Sequence, residues 1–520
     1  CIEWFCAPRF DSPACFAALL GNRDHGHWQI APKEKIIDVK RRYIPETMVL
    51  VSDISTASGR VRLTDFMKTG DEETVSNLVR IVTGLEGSVD MHMDFVPRFD
   101  YGRSLPLIFK KEGGENTHII CGFDQLNLYS DTEHKEEKSF VTADFTLREG
   151  EEKFFQLSWT PSHKPRGDKL DCKEALEETT GFWQEWLDSC LIGKQFEYPE
   201  IMRRSILVLK AMTYSPTGGM VAAVTTSLPE EPGSIRNWDY RFCWPRDTLL
   251  SLRAVINSVG QKEEIDAWRK WLLRACAGEP DQIEVLYGVQ GENARNERTL
   301  DWLPGFQNSR PVRVGNNAHG QRQLDIYASV IEVFYAAEKK GLPRLKESWE
   351  LVHEILKFLE DVWRYPDEGL WEVRGPRRHF VHSKAKIWAA FNCGIKAVEE
   401  LGIDGPIDHW KKIRALVFDD ICTKGFDKDL NSFTQYYGAK HVDASLLMLP
   451  VIGFLPADDP RIIGTVKAIE GELSLGDGLL MRYQPNRQVE GLEESGNKAF
   501  LLCSGLLGMV YSMQGRKDEA

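Results

Sequence analysis

Four stretches of this sequence concentrate tryptophan, arginine and acids. They are RNWDYRFCWPRD (Arg236–Asp247), RTLDWLPGFQNSRPVRVGNNAHGQ (Arg298–Gln321), DEGLWEVRG (Asp367–Gly375) and NSFTQYYG (Asn431–Gly438). This mixture suits a sugar: flat rings stack on the apolar faces of a pyranose, while carboxylates and guanidinium groups bond its hydroxyls. Cleaving a glycosidic bond adds a demand for two carboxyls, one of them protonated.

Each residue taken singly also has a blander reading. Arg246–Asp247 reads as an ion pair at a helix N-terminus, Glu372 as a solvated loop acid, and Asp367 and Glu368 as turn acids. His25, His27, His379 and His382 have no metal-ligand spacing. Cys1, Cys6 and Cys15 interleave with strand-like residues, so no metal is expected there. No glycine-rich phosphate loop follows a strand, and no cofactor is implied.

The elements that must hold these loops change character along the chain. In SVDMHMDFVPRF, Val89, Met91, Met93 and Phe95 alternate with Asp90, His92 and Asp94, the two-residue period of a half-buried strand. Similar segments recur around 47–54, 60–66, 139–147 and 153–159, separated by turn residues, which predicts an antiparallel sandwich over residues 1–165. DCKEALEETTGFWQEWLDSC reads as a helix in a linker at 166–195. From 196 to 520 the spacing is helical: Leu324, Tyr327, Ala328, Ile331 and Phe334 fall on one face, as do Val352, Ile355, Leu356, Leu359 and Val362. Ten helices are expected, near 199–213, 245–259, 262–277, 320–340, 345–363, 383–401, 405–424, 440–452, 458–472 and 498–514, with an eleventh starting at Arg516. The long connections 278–319 and 364–382 are expected to be functional.

Composition narrows the partners. The 65 basic and 78 acidic side chains give a net charge of −13, which disfavours nucleic acid and anionic membranes. No run of about 18 apolar residues offers a membrane span. Eleven scattered cysteines, no N-x-S/T acceptor and no visible secretory signal favour a reducing, cytoplasmic compartment. A small neutral carbohydrate is the expected ligand, with the oligomeric state left open.

Taken together, the motifs resemble glycoside hydrolase family 15, the glucoamylase and trehalase family. WFCAPRFDSPACFAALL resembles the sandwich domain of its prokaryotic-type members. TTSLPEE, RNWDYRFCWPRD, SRPVRVGNNAHGQRQLDIY, DEGLWEVRG and FTQYYGAKHVDASLLMLP match in order and spacing across nearly the whole chain. The resemblance implies a β-sandwich, a linker helix and an (α/α)6 barrel lacking its last helices in this chain. It implies Glu372 as the general acid. Arg246 and Asp247 would bind the innermost glucose, and Tyr240 and Trp244 would be aromatics beside the cleavage point. Leu370, Trp371 and Arg313 are expected as further sugar contacts.

Two departures from the family pattern shape the expectation. Val373 stands where starch-acting members often carry a second Glu, which weakens a starch preference. No general-base motif appears before Ala520; Glu493 and Glu494 fall too early, Asn497 stands where other members often have an acid, and the base is expected beyond Ala520. The resulting expectation is an inverting, exo-acting hydrolase that releases β-glucose from trehalose or short α-glucans. The rivals are a phosphorylase or lyase on the same barrel, marked by a Ser, Lys and His phosphate cluster, and a non-catalytic sugar-binding relic.

Overall fold

The structure, a computed structural model, describes residues 1–70, 75–110, 116–192, 196–258, 262–294, 296–485, 489, 491 and 498–520. In the first third, the alternating segment behaves as its period demands. Val89, Met91, Met93 and Phe95 are each 1% exposed or less, while Asp90 faces solvent. They lie in a 21-residue strand, Ser76–Val96. Its first half pairs with Gly59–Met67 and Glu152–Pro161, its second half with His27–Pro32 and Val141–Arg148, all antiparallel. The change of partners comes beside a bulge in the pairing with Gly59–Met67. There the backbone of Gly84 approaches the Arg148 carbonyl so closely that a Cβ would sit 2.0 Å from it, which requires glycine. The two ladders close on one core: Trp28 meets Phe95 edge-on with ring centres 5.6 Å apart, and Phe145 meets Phe155 at the same separation. The result is a sheet-rich N-terminal domain.

Strands Asp38–Tyr43, Leu107–Lys110, Asn116–Cys121 and Asp124–Ser130 extend this sheet without having been expected. The first, DVKRRY, is an edge strand whose charged residues face water, so it carries no alternation to read.

The bridge is the helix Cys172–Asp188, capped by Asp171, whose Oδ1 accepts from the backbone N–H of Lys173 and Glu174. Its start packs Cys172 and Ala175 against Phe66, Val79 and Ile81 of the sheet. Its end packs Trp183 and Leu187 against Ile206 and Leu207 of the next helix. The bridge thus packs on the sheet at its start and on the first following helix at its end.

Ten α-helices follow among the described residues. Pro245–Ser258, Asp325–Lys339 and Val381–Leu401 pack side by side, and Met448–Val451 and Leu501–Met513 continue the row. Pro199–Ala211, Lys262–Ala275, Lys346–Val362, Ile407–Lys424 and Pro460–Leu473 alternate with them in sequence. The ends differ from expectation at capping residues. The eighth helix begins only after Asp443, which caps a 3₁₀ turn at Ala444–Leu447. No helix starts at Arg516; its guanidinium bonds Glu470 at 2.9 Å, and Ala520 N–H closes a turn on its carbonyl. Among the described residues no helix is long and apolar enough to cross a membrane.

Candidate active site

A pocket of about 380 Å³ opens where the N-termini of the side-by-side row converge. Trp244, Arg246, Asp247, Asp325, His382, Met448 and Leu506 reach it from five successive helices of that row or the residues just before them.

Glu372 enters on a tight loop. Backbone bonds between Asp367 and Arg378 close its base, and Glu372 N–H bonds the Gly369 carbonyl. Glu372 itself has φ +56°, a left-handed conformation that an L-residue adopts at a cost of order 1–3 kcal/mol and that persists where surroundings enforce it. Its Oε1 accepts two hydrogen bonds, from Trp244 Nε1 at 2.7 Å and from Arg246 NH2 at 3.0 Å. Burial raises the Glu372 carboxyl above the ordinary range, against the downward pull of Arg246 and Trp244.

Arg246 is the hub. Besides Glu372, its guanidinium donates to Gln323 Oε1 at 2.6 Å and Asp325 Oδ2 at 3.3 Å, and its Nε lies 3.6 Å from Asp247 Oδ1. Asp247 turns to the cavity, its side chain 48% exposed. The segment 321–325 carries the acid loop. Gln321 Nε2 donates to the carbonyls of Glu372 and Val373, Arg322 N–H donates to Glu368 Oε2, and Leu324 N–H donates to Asp367 Oδ2. Asp367 and Glu368 are therefore latches rather than solvated turn acids. Asp367 is fully buried, and its carboxyl is raised chiefly by that burial.

The opposite wall is aromatic. Trp371 Nε1 donates to both oxygens of the buried Asp443, at 2.9 and 3.0 Å, which fixes the indole against Tyr483 and Phe500. Tyr240 lies beside Trp244 with ring centres 5.9 Å apart. At the rim, Arg482 pairs with Glu230 at 2.5 Å.

Seven of the eight residues read from the sequence line this pocket: Tyr240, Trp244, Arg246, Asp247, Leu370, Trp371 and Glu372. Arg313 does not. Its guanidinium lies 4.4 Å from the Trp238 ring centre and that of Arg374 4.3 Å from it, and Glu297 bonds both guanidiniums. Trp238 and Arg374 line the pocket, and Arg313 packs on Trp238. Val373 is buried against Phe380 and offers no side-chain hydrogen bond. Glu493, Glu494 and Asn497 lie outside the described residues.

Gln321, Gln323, Asp325, His382 and Asp443 went unassigned in the sequence. Their signal is only that they sit in or next to the matched motifs. His25, His27 and His379 are away from the pocket, bonded to Asn22, bonded to Arg23 and Asp94, and stacked on Tyr437 respectively. Cys6 lies 3.9 Å from Arg241, which also donates to Phe10 and Ser12 carbonyls and so ties the N-terminal segment to the Asn237–Asp239 strand.

Comparison with known proteins gives a consistent picture. Residues 197–519 match the family model of glycosyl hydrolases family 15, and residues 1–132 match that of the trehalase-like N-terminal domain. A trehalase of Thermoplasma acidophilum is 36% identical over 500 residues, covering 95% of this chain and 84% of its own. A trehalase of Mycobacterium tuberculosis is 34% identical over 533 residues, covering 97% and 77%. In three dimensions, a bacterial glucoamylase crystallised with acarbose superposes with a TM-score of 0.71 at 14% identity, covering 99% of this chain and 83% of that one, a likeness of fold.

Proposed function

The chain belongs to glycosyl hydrolases family 15, and from that premise we propose an inverting, exo-acting α-glucosidase that releases β-D-glucose from trehalose or a short α-glucan. The alternating inner and outer helices support reading residues 196–520 as an (α/α)6 catalytic barrel, with 1–165 a β-sandwich and 166–195 its linker. Unpaired cysteines at all eleven positions support a reducing, cytoplasmic setting.

The carrying observation is the grip on one oxygen of Glu372. Trp244 and Arg246 both donate to Oε1. Neither donor can release that oxygen to carry a proton, so the acidic proton belongs on Oε2. Burial keeps that proton on the carboxyl to higher pH, as general-acid catalysis requires. The sugar seats against Trp371 and Leu370, Asp247 and Arg246 bond its hydroxyls, and Oε2 of Glu372 protonates the departing oxygen. Inversion also needs a second carboxylate about 6.5–9.5 Å from the first, with water between. Of the described pocket acids, Glu230 is paired with Arg482, and Asp247 and Asp325 with Arg246; we assign the base to none of these three. Trehalose is favoured over starch because Val373 is apolar where a second-sugar contact would stand.

A phosphorylase reading has one observation in its favour: Ser329, His382 and Lys386 line the pocket together. Their charge argues against phosphate, because Lys386 is already paired with Glu332 at 2.5 Å and Asp325 stands beside them. The test is sugar release from trehalose, maltose, isomaltose and soluble starch by the full gene product, with and without phosphate. Anomeric configuration is read by NMR, and Glu372→Gln is compared in parallel. Free β-glucose, phosphate independence and a loss of about 10²-fold or more in the variant are expected. Activity within a few-fold of the parent would remove Glu372 from the mechanism.

A further inference from the structure

The strand Asn237–Asp239 and the residues just after it alternate, as extended chain must. Trp238 and Tyr240 line the pocket, while Asp239 and Arg241 turn away from it and form a fully buried ion pair, each side chain 1% exposed. Arg241 is satisfied from two domains. Its Nε and NH2 donate to the Asp239 carboxylate at 2.9 and 2.8 Å. Its other partners belong to the N-terminal domain: the Tyr101 hydroxyl oxygen, 2.9 Å from NH2, and the Ser12 and Phe10 carbonyls, 3.1 and 3.4 Å from NH1. A guanidinium carries five N–H donors, so the N-terminal domain completes what Asp239 begins. A buried ion pair holds only where such further bonds offset its desolvation. Burial pushes the Tyr101 hydroxyl up to about 12, so it meets Arg241 as a neutral acceptor. Tyr101 and its neighbour Asp100 have φ +57° and +47°, left-handed conformations that persist where the surroundings enforce them.

We infer that Tyr101, a residue of the N-terminal domain, is a positioning residue for the reaction: its hydroxyl locks Arg241 and, through Asp239, holds the pocket wall formed by Trp238, Tyr240 and Asn316. This rests on the sugar-hydrolase reading above and extends the working machinery into the N-terminal domain. Asp239 is the relay. Its Oδ1 also accepts from the Arg241 backbone N–H at 3.2 Å, and its Oδ2 from Gly315 N–H at 3.0 Å. Its carbonyl accepts from Asn316 Nδ2 at 3.2 Å, and Asn316 lines the pocket. One residue therefore sets both the 237–241 strand and the turn at Gly315. Tyr240 in turn lies beside Trp244, the donor to Glu372, so a shift of this wall reaches the acid. Removing the Tyr101 oxygen leaves one Arg241 N–H buried and unpaired, a costly state. The guanidinium finds a new partner only by turning, and turning loosens its grip on Asp239.

The test compares Tyr101→Phe with Leu303→Val. The first removes one oxygen and keeps the ring. The second trims the apolar core shared by the two domains and leaves the hydrogen bonds of Arg241 in place. Amide hydrogen exchange is read by mass spectrometry, and kcat and KM are measured on trehalose per folded molecule. In Tyr101→Phe, peptides spanning 237–243 and 313–318 should exchange about threefold faster or more. Its kcat should fall about three- to tenfold with KM within about twofold of the parent. Leu303→Val should lower the melting temperature while kcat and the exchange of those two peptides stay as in the parent. Arg241→Lys keeps a charge beside Asp239 but gives up the fork; it should loosen the same two peptides, and it carries the test should Tyr101→Phe fail to fold. Unchanged exchange in both peptides of a folded Tyr101→Phe would overturn the proposal, as would a parental kcat in that variant or equal losses of kcat in Tyr101→Phe and Leu303→Val. Exchange is read without turnover, so the two readings fail separately. A parent that cleaves no α-glucoside sinks the hydrolase, and exchange alone then decides whether Tyr101 holds the wall. A parent that hydrolyses while Tyr101→Phe exchanges as it does sinks only the role of Tyr101.

Discussion

The indole N–H of Trp244 and the carboxyl of Glu372 meet at 2.7 Å, on the same oxygen that Arg246 holds. A donor-only indole can stabilise the carboxylate but cannot bond a proton on that oxygen. Trp244 therefore both orients Glu372 and lowers its pKa, opposing the burial that raises it.

That opposition fixes the direction of the Trp244→Phe effect. A general acid works while protonated, so kcat/KM falls as pH rises through its pKa. Removing the indole donor lifts that pKa, so the alkaline limb of the pH–rate profile should move to higher pH. Rates at the acid plateau measure lost orientation separately. An alkaline limb that stays in place would mean that another group sets it.

Asp247 separates a sugar contact from a helix-end ion pair. Its carboxylate opens to the pocket, with Arg246 Nε 3.6 Å away. A partly exposed pair of this kind contributes about 0–1 kcal/mol to folding, whereas a charged hydrogen bond to a sugar hydroxyl is worth about 1.5–3 kcal/mol. Asp247→Asn should lower kcat/KM by roughly 10- to 100-fold with little change in melting temperature. A drop in melting temperature at constant turnover per folded molecule would leave only the helix-end role.

What the sequence disclosed follows from the range of each interaction. Alternation at Val89–Phe95 and the helical spacing at Val352–Val362 are local, and both are buried as read. The pocket residues were legible through motifs held within a few positions, such as Tyr240 to Asp247 and Leu370 to Glu372. The latches were not, because Leu324 N–H meets Asp367 across 43 residues and Gln321 meets Glu372 across 51. Arg313 shows the opposite error. Its place in a matched motif suggested a sugar contact, but its reach is taken up by Glu297 and the backbone carbonyls of Ile235 and Asn237.

His382 should make folding sensitive to mild acid. Its folded pKa is depressed to about 4 from the usual 6.5. Its contribution to stability is thus present above the unfolded value and is lost as pH falls through the folded one. Between pH 6.5 and 4 the parent should lose about 2–3 kcal/mol through this residue, at about 1.4 kcal/mol per unit. His382→Asn cannot titrate there, so its denaturation midpoint should fall less steeply over that window. Parallel curves for the two proteins would show that His382 charges without penalty.

Glu297 holds the clamp behind the pocket wall. Its Oε1 accepts from Arg313 Nε at 3.0 Å and its Oε2 from Arg374 NH2 at 2.7 Å, and both guanidiniums pack on the Trp238 ring. Arg374 sits two residues after Glu372, so the clamp anchors the acid loop to Trp238. Replacing the shared carboxylate by an amide leaves two cations at one ring without their common counter-ion. Glu297 is only 10% exposed, so water screens that repulsion poorly. Glu297→Gln should therefore free Arg374 and let the acid drift; a misplacement near 1 Å can cost about 10²-fold in rate. A several-fold or larger drop in kcat is expected, together with a destabilisation of about 1–3 kcal/mol. The second variant Arg313→Gln leaves Glu297 paired with Arg374 alone, so the acid loop keeps its anchor. Its kcat should stay within a few-fold of the parent even where its melting temperature falls. Equal losses of kcat in the two variants would show that Trp238, and not the grip on Arg374, carries the effect.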